Sequence, residues 1–316
     1  MDATLPLVTV ICTCYNHADY VEEAIASVFA QSYPHIQLIV VDNFSSDRSV
    51  EIIQHALFSF PGTLFIQNKE NKGICRAFNE AVAFAKGKYL IDLAADDVLL
   101  PDRIEKQVQA FEQLPASYAL LYSNIAYIDP QGTLLHAHFK PSETPPEGDV
   151  FASLLEKHFL PSPSTIFKTD VFLSLGGYNI QLAFEDFDYW IRCARQHAFA
   201  YLPILSTKKR ILPHSLSMEF YSTRSDRMLE STWVTFHWVY AHLNNRQEEI
   251  AFVKGASYYF RQSVLLGHFQ TAKKFHALFP SRKTKFSSTT LFCLVLFYLR
   301  LDLSWFYAKY LTLSTK

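Results

Sequence analysis

Six carboxylates stand out in this chain by type and position: Asp42, the pair Asp96-Asp97, and the close set Glu185, Asp186 and Asp188. Each alone has an ordinary explanation. Asp42 suits a turn, Asp96-Asp97 the dipole of a following helix, and Glu185-Asp186 a helix N-cap. Together they ask for more, because adjacent acids at a strand end repel one another. A divalent cation relieves that repulsion, and Mg2+ is commonly held by one or two carboxylates plus substrate phosphates. Other candidates are poorer. Cys12 and Cys14 share a strand face without further close ligands and read as buried small hydrophobes. His136 and His138 read as alternating strand positions. Neither G-x-G-x-x-G nor G-x-x-x-x-G-K-[ST] occurs, so dinucleotide and P-loop chemistry have no support.

The elements that must position these acids alternate regularly. Leu7–Cys14, Ile36–Val41, Thr63–Gln67 and Tyr89–Leu93 are apolar, β-rich runs. Helices are expected between and after them at about Val21–Phe29, Arg48–Phe58, Ile74–Ala85 and Asp102–Gln113. Asp19, with Glu22 three residues on, suits the cap of the first helix, and Val21, Ile25, Val28 and Phe29 form its apolar stripe. Apolar strands separated by amphipathic helices imply a parallel sheet covered on both faces. Ligands bind beyond the carboxyl ends of such strands, where Asp42 and Asp96-Asp97 both stand. Further strands are expected at Ala119–Ile125, Leu134–Phe139, Ser164–Phe167 and Phe199–Leu205, with a polar loop at Pro141–Gly148 and a helix at Phe187–His197. From Tyr221 to Leu278 the pattern is helical, and Phe286–Leu313 is apolar and aromatic. Trp233, Phe236, Trp238 and Tyr240 read as core packing.

The 316 residues allow one large α/β domain with an appendage, or two domains. A hydrophobic share of 49% against 19% charged supports a sizeable core. Five scattered cysteines argue against a disulfide framework and for a reducing compartment. The N-terminus lacks a basic region before its apolar run, so no signal peptide is expected. A net charge of −1 hides an asymmetry: the balance is −6 over residues 1–100, −5 over 101–200 and +10 over 201–316. A basic C-terminal third predicts an anionic partner. An anionic membrane surface fits better than nucleic acid, because the basic run over 250–301 leads into the short apolar segment Thr290–Leu299 and then Trp305, Phe306, Tyr307 and Tyr310.

Several segments carry a resemblance. Val8–Asn16, Ser27–Val41, Asp42–Asp47 and Asn71-Lys72-Gly73 look like the nucleotide-binding half of a family-2 glycosyltransferase with a GT-A fold. Leu93–Gln107 (LAADDVLLPDRIEKQ) resembles that family's DXD region, and Phe184–Arg192 (FEDFDYWIR) its catalytic-base motif. The match covers about residues 6–217, in the family order. It implies a GT-A catalytic domain over 1–220, with a nucleotide-binding half over 1–115 and an acceptor half over 116–220. A helical region over 221–316 follows. The implied donor-binding residues are Thr13, Tyr15, Asp42, Asn43, Asn71, Gly73, Asp96 and Arg210. Asp97 would ligate Mn2+ or Mg2+, and Asp186 would be the general base, with Glu185 and Asp188 next in line. Lys209-Arg210 through Ser217 resembles a loop that folds over the donor, with His214 a further diphosphate contact. Two departures are Ala94, where the family often has Asp, and Phe78, where it often has Arg; Arg76 stands near enough to compensate for the second.

The implied reaction is metal-dependent transfer of a sugar from a nucleotide-sugar to a saccharide or lipid-linked acceptor. Inversion follows from one base on the attacking face and a metal on the leaving face. The process would be cell-surface polysaccharide synthesis, and the place cytoplasmic, peripheral at the inner face of the plasma membrane. The alternatives are a catalytically impaired nucleotide-sugar-binding protein, suggested by Ala94 and Phe78, and a sugar nucleotidyltransferase. A missing Gly-rich basic loop after the first strand weighs against the latter.

Overall fold

A computed structural model describes residues 5–212, 216–279 and 286–314. In chain order the first half comprises β1 (Val8–Cys14), α1 (Val21–Phe29), β2 (Ile36–Asp42), α2 (Ser49–Leu57), β3 (Leu64–Gln67), α3 (Ile74–Val82), β4 (Tyr89–Ala94), β5 (Val98–Leu99), α4 (Arg103–Glu112), β6 (Tyr118–Ile128) and β7 (Leu134–Ala137). There follow α5 (Phe151–Glu156), β8 (Ile166–Lys168), α6 (Thr169–Ser174), α7 (Glu185–Ala194) and β9 (Ala198–Arg210). The rest is helical: α8 (Arg227–Tyr240), α9 (Arg246–Leu265), α10 (Phe269–Ala277), α11 (Ser288–Leu299) and α12 (Ser304–Ser314).

The chain forms two compact units. The sheet unit takes residues up to Val150, Phe159–Ile180 and Arg192–Leu212. The helical unit takes Phe151–His158, Gln181–Ile191 and the chain from Pro213 on. Two pieces that precede residue 220 therefore pack with the helices.

In the sheet unit the strand order is β3-β2-β1-β4-β8-β6-β9-β5, with β7 on the edge of β6. The first four strands are parallel, and β8 enters antiparallel between β4 and β6. Every residue of β1 is buried, as a strand covered on both faces requires. Val8, Val10, Cys12 and Cys14 line one face with Val21, Ala24, Ile25 and Val28 of α1. The two cysteines are thus core residues.

Several expectations need correction. Asp19 does not cap α1: Tyr20 holds the N-cap position without a side-chain bond. The His17 carbonyl accepts the amides of Tyr20 and Val21 instead, in a turn set by Asn16 at φ 57°. Glu185 and Asp186 lie inside the first turn of α7 rather than capping it. The Ser164–Phe167 strand divides into a 3-10 turn at Ser162–Ser164 and β8. β9 runs five residues past Leu205, because β6 pairs with it as far as Ile128 opposite Arg210, and β5 joins its other edge at Thr207 and Lys208. Lys209-Arg210 is therefore strand, not loop.

The helical unit has an aromatic core. Phe236 lies 5.4 Å from both Phe252 and Tyr259, ring centre to ring centre, and Phe187 of α7 lies 6.3 Å from Phe236. Of the four aromatics expected as core, Phe236 is fully buried and Tyr240 is half exposed. α5 crosses α9 so closely that a Cβ on Gly255 would stand 1.9 Å from the Leu155 carbonyl oxygen.

Candidate functional site

Strand register brings the first acids together. β1 lies between β2 and β4, with Cys14 opposite Asp42 and Thr13 opposite Ala94. The carboxyl ends of the three strands therefore open on one rim. Asp42 is fully buried, and its Oδ2 accepts the Ser45 amide at 3.1 Å. Its Oδ1 has no partner among the described residues, nor has Oγ1 of Thr13. A buried polar atom left unpaired costs about 1–3 kcal/mol, so two at one rim mark a place built for a polar ligand.

Loops zip this rim together. Asn16 Oδ1 accepts the Ser46 amide at 2.8 Å, and Ser45 Oγ accepts the Asn16 amide at 2.9 Å. Asn43 is buried and engaged: its Oδ1 accepts from Asn68 Nδ2 and the Lys72 amide, and its Nδ2 donates to Asn71 Oδ1 at 3.0 Å. Asn71 Oδ1 also takes the Gly73 amide at 2.9 Å, where φ of 77° turns the chain into α3. Asn43, Asn71 and Gly73 thus shape the loop beside Asp42. Tyr15 stands half exposed at the end of β1. Arg76 is exposed on α3, whereas Phe78 is fully buried against Phe172 and Tyr178. Two residues apart on a helix point to opposite sides, so the residue at 78 belongs to the core.

The Asp96-Asp97 turn follows β4. Asp97 is 3% exposed, and its Oδ1 accepts the Arg210 amide at 3.0 Å. Burial, and then the Asp96 carboxylate, push the Asp97 carboxyl up to about 8, against the pull of Lys209, the Arg210 amide and Arg103. Such a group favours a proton or a cation beside it. The Arg210 guanidinium is buried too. It donates to the Asp96 carbonyl at 3.1 Å, the Pro130 carbonyl at 3.0 Å and Glu23 Oε2 at 2.6 Å, and lies 4.7 Å from the centre of the Tyr20 ring. Arg210 thus ties the acidic turn to α1 and to the β6–β7 turn. His214 lies outside the described residues.

Sequence reasoning overlooked a second buried arginine. Arg103 of α4 is fully buried and donates to Gln107 Oε1, Thr207 Oγ1 and the carbonyls of Pro163 and Thr165, all within 3.0 Å. Gln107 continues the network to Ser123 Oγ and the Ser164 carbonyl. The signal was present: Arg103 and Gln107 share the helical face of Ile104, Val108 and Phe111.

The helical unit carries the second acidic set. Asp186 and Glu185 are half-buried in the first turn of α7, and Asp186 Oδ1 takes the Phe187 amide at 2.6 Å. Asp188 is buried, with the Thr235 hydroxyl 3.4 Å away. Among the described residues no three His, Cys, Asp or Glu side chains gather as a metal cage. The donor set present, buried Asp97 beside the partly exposed Asp96, fits an Mg2+-like ion whose remaining ligands are substrate oxygens.

Residues 9–175 match the family model described as glycosyl transferase family 2. An uncharacterized glycosyltransferase of Methanocaldococcus jannaschii is 32% identical over 209 residues, 65% of this chain and 71% of that protein. The teichuronic acid biosynthesis glycosyltransferase TuaG of Bacillus subtilis is 34% identical over 41% of this chain and 51% of its own. The chain spans about a third of the length of three relatives from Rickettsia species. Among solved structures, TarS 1–349 of S. aureus in complex with UDP-GlcNAc superposes with a TM-score of 0.62 at 14% identity, over 86% of this chain and 83% of that one. Mannosyltransferase PcManGT of Pyrobaculum calidifontis, in complex with GDP-Man and Mn2+, gives 0.60 at 17%, over 98% and 84%. At such identities the two structures speak for the fold.

Proposed function

Because this chain belongs to glycosyl transferase family 2 and has a GT-A fold, we propose that it moves a sugar from a nucleotide-sugar to a hydroxyl of a saccharide or lipid-linked acceptor, with inversion. The observation that carries this reading is the pair of unpartnered buried oxygens, Asp42 Oδ1 and Thr13 Oγ1, at adjacent strand ends. A nucleobase offers the N–H that Asp42 lacks. Asp96 and Asp97 then face the diphosphate side. A divalent ion, Mn2+ or Mg2+, held by Asp97 and the diphosphate, would neutralise charge on the leaving group. Arg210 keeps the acidic turn in place through the Asp96 carbonyl and the Asp97 carboxylate.

Asp186 takes the proton of the attacking hydroxyl, a role that half-burial in the first turn of α7 suits better than the enclosed position of Asp188. Attack from the face opposite the diphosphate inverts the anomeric centre. The likeness to TuaG, named for teichuronic acid biosynthesis, supports polysaccharide synthesis as the process; work at the inner face of the plasma membrane is part of the same proposal. Full burial of Phe78 removes one motive for an impaired site, because a side chain there lies in the core.

A thermal-shift panel of uridine, thymidine and guanosine diphosphate sugars, with and without Mn2+, tests the reading, since a bound ligand raises the melting temperature by mass action. One nucleotide class should stabilise the wild type, and Asp42→Ala should lose that shift with or without metal. Undiminished stabilisation of Asp42→Ala would remove Asp42 from the pocket.

A further inference from the structure

α11 carries large apolar side chains on two opposite sides. Its inner side is satisfied: Thr290, Cys293 and Leu296 are buried, and Arg261 of α9 donates to Thr290 Oγ1 at 2.9 Å. Its outer side presents Leu291, Phe292, Val295, Tyr298 and Leu299, between 52% and 68% exposed. That spacing is one continuous helical stripe. α12 repeats the arrangement. Tyr307 turns inward and donates to Gln262 Oε1 at 3.1 Å, whereas Trp305, Phe306 and Tyr310 are each more than 60% exposed. Soluble monomers rarely leave so much contiguous apolar surface to water.

Charge selects the occupant. Between Glu249 and Asp302 the sequence has eight lysines and arginines and no acid. Of these, Lys254 and Lys274 pair with Glu156 and Glu230, and Arg261 faces Thr290, so the charge offered outward on these helices rests on Arg300 and, beyond Asp302, Lys309. Arg300 is exposed at the left-handed turn that ends α11, and Lys309 lies over the Trp305 ring at 5.4 Å. Asp302 is engaged by the Ser304 amide at 2.8 Å. Two copies of this surface laid together would bring like charges together, whereas an anionic bilayer complements them. Trp and Tyr also favour the headgroup level. Length fixes the mode: the 12 residues of α11 reach about 18 Å, short of a hydrocarbon core of about 30 Å. Among the described residues no helix is long and apolar enough to cross a membrane.

We infer that the outer sides of α11 and α12 are a lipid-docking surface that lies in the plane of an anionic bilayer. This surface gives the proposed glycosyl transfer its place, and it would meet a lipid-linked acceptor there; the docking itself is independent of the chemistry. The full chain is floated with phosphatidylcholine vesicles, with or without phosphatidylglycerol, at low and high salt. The wild type should float with the anionic vesicles at low salt and less at high salt. The variant Phe292→Glu/Trp305→Glu, altered only at exposed side chains, should stay at the bottom. Arg300→Glu/Lys309→Glu keeps the apolar stripe and should lower anionic partitioning on the order of tenfold or more. Unchanged circular dichroism and an unchanged donor-induced thermal shift show that both variants fold. Donor binding without flotation overturns the docking surface alone, and flotation without donor binding overturns the proposed reaction alone. The surface is also overturned if the Phe292→Glu/Trp305→Glu variant floats as well as wild type. A wild-type dimer that this variant splits, with no vesicle binding, assigns the surface to self-association instead.

Discussion

Asp97 sits where its own charge is least welcome, buried beside Asp96 with one backbone amide for company. Its folded state holds the proton up to about 8, far above the ordinary 3.8. The sign follows directly. The folded chain binds more protons than the unfolded one between these values, so this group's contribution to stability falls as pH rises from about 4 to about 8. A metal ligand must be deprotonated, so apparent Mn2+ affinity in the presence of donor should climb about tenfold per pH unit below 8 and level off above it. Titration calorimetry at several pH values checks this; a flat profile, or one unchanged in Asp97→Asn, would count against Asp97. Asp186 makes a different demand, since the part proposed for it lies in the transfer step. Asp186→Asn should keep donor binding and lose transfer by about 10²-fold or more. Near-normal turnover would move the role to Glu185. The acids were legible as types and positions, but the partnering of Arg210 and Arg103 was not. An arginine beside a loop reads as a ligand contact until backbone carbonyls are seen to surround it.

Among the elements, the parallel half of the sheet was readable, because strands buried on both faces announce themselves as unbroken apolar runs. β1 and β2 came within a residue or two of expectation. β9 did not, since its last residues, including Lys208, Lys209 and Arg210, are held by pairing with β5 and β6 and not by hydrophobicity. Pairing between residues a hundred positions apart leaves no local signal. The α5–α9 crossing is similarly silent. Gly255 in the middle of a 20-residue helix looks like a weakness, yet it lets the Leu155 carbonyl approach. Gly255→Ala should therefore destabilise despite the roughly 1 kcal/mol that alanine gains in helix propensity. Overpacking at such a contact costs about 1–3 kcal/mol, and here the obstacle is backbone. A lowered melting temperature is the expected result; a raised one would mean that α5 moves away without loss.

At the scale of the whole molecule, the division of the chain matters more than its length. The sheet unit is not a continuous stretch, because Phe151–His158 and Gln181–Ile191 leave it to join the helices. Phe151, Leu154 and Leu155 of α5, with Phe187 and Trp190 of α7, are all buried. α5 packs on α9, and Phe187 lies near Phe236 of α8. A chain ending at residue 220 would keep these side chains and lose α8 and α9. Uncovering five large apolar groups at roughly 2 kcal/mol each approaches the total stability of a domain. Such a truncation should be insoluble or bind hydrophobic dyes strongly, although it retains the full GT-A motif series. A truncation after Phe279 removes α11 and α12 instead, whose outer sides face water. It should stay folded and keep its donor-induced thermal shift while losing flotation on anionic vesicles. If the short chain ending at 220 folded and bound donor as well as the full chain, α8 and α9 would be dispensable for the site. In that case α5 and α7 would hold their places without the cover of α8 and α9.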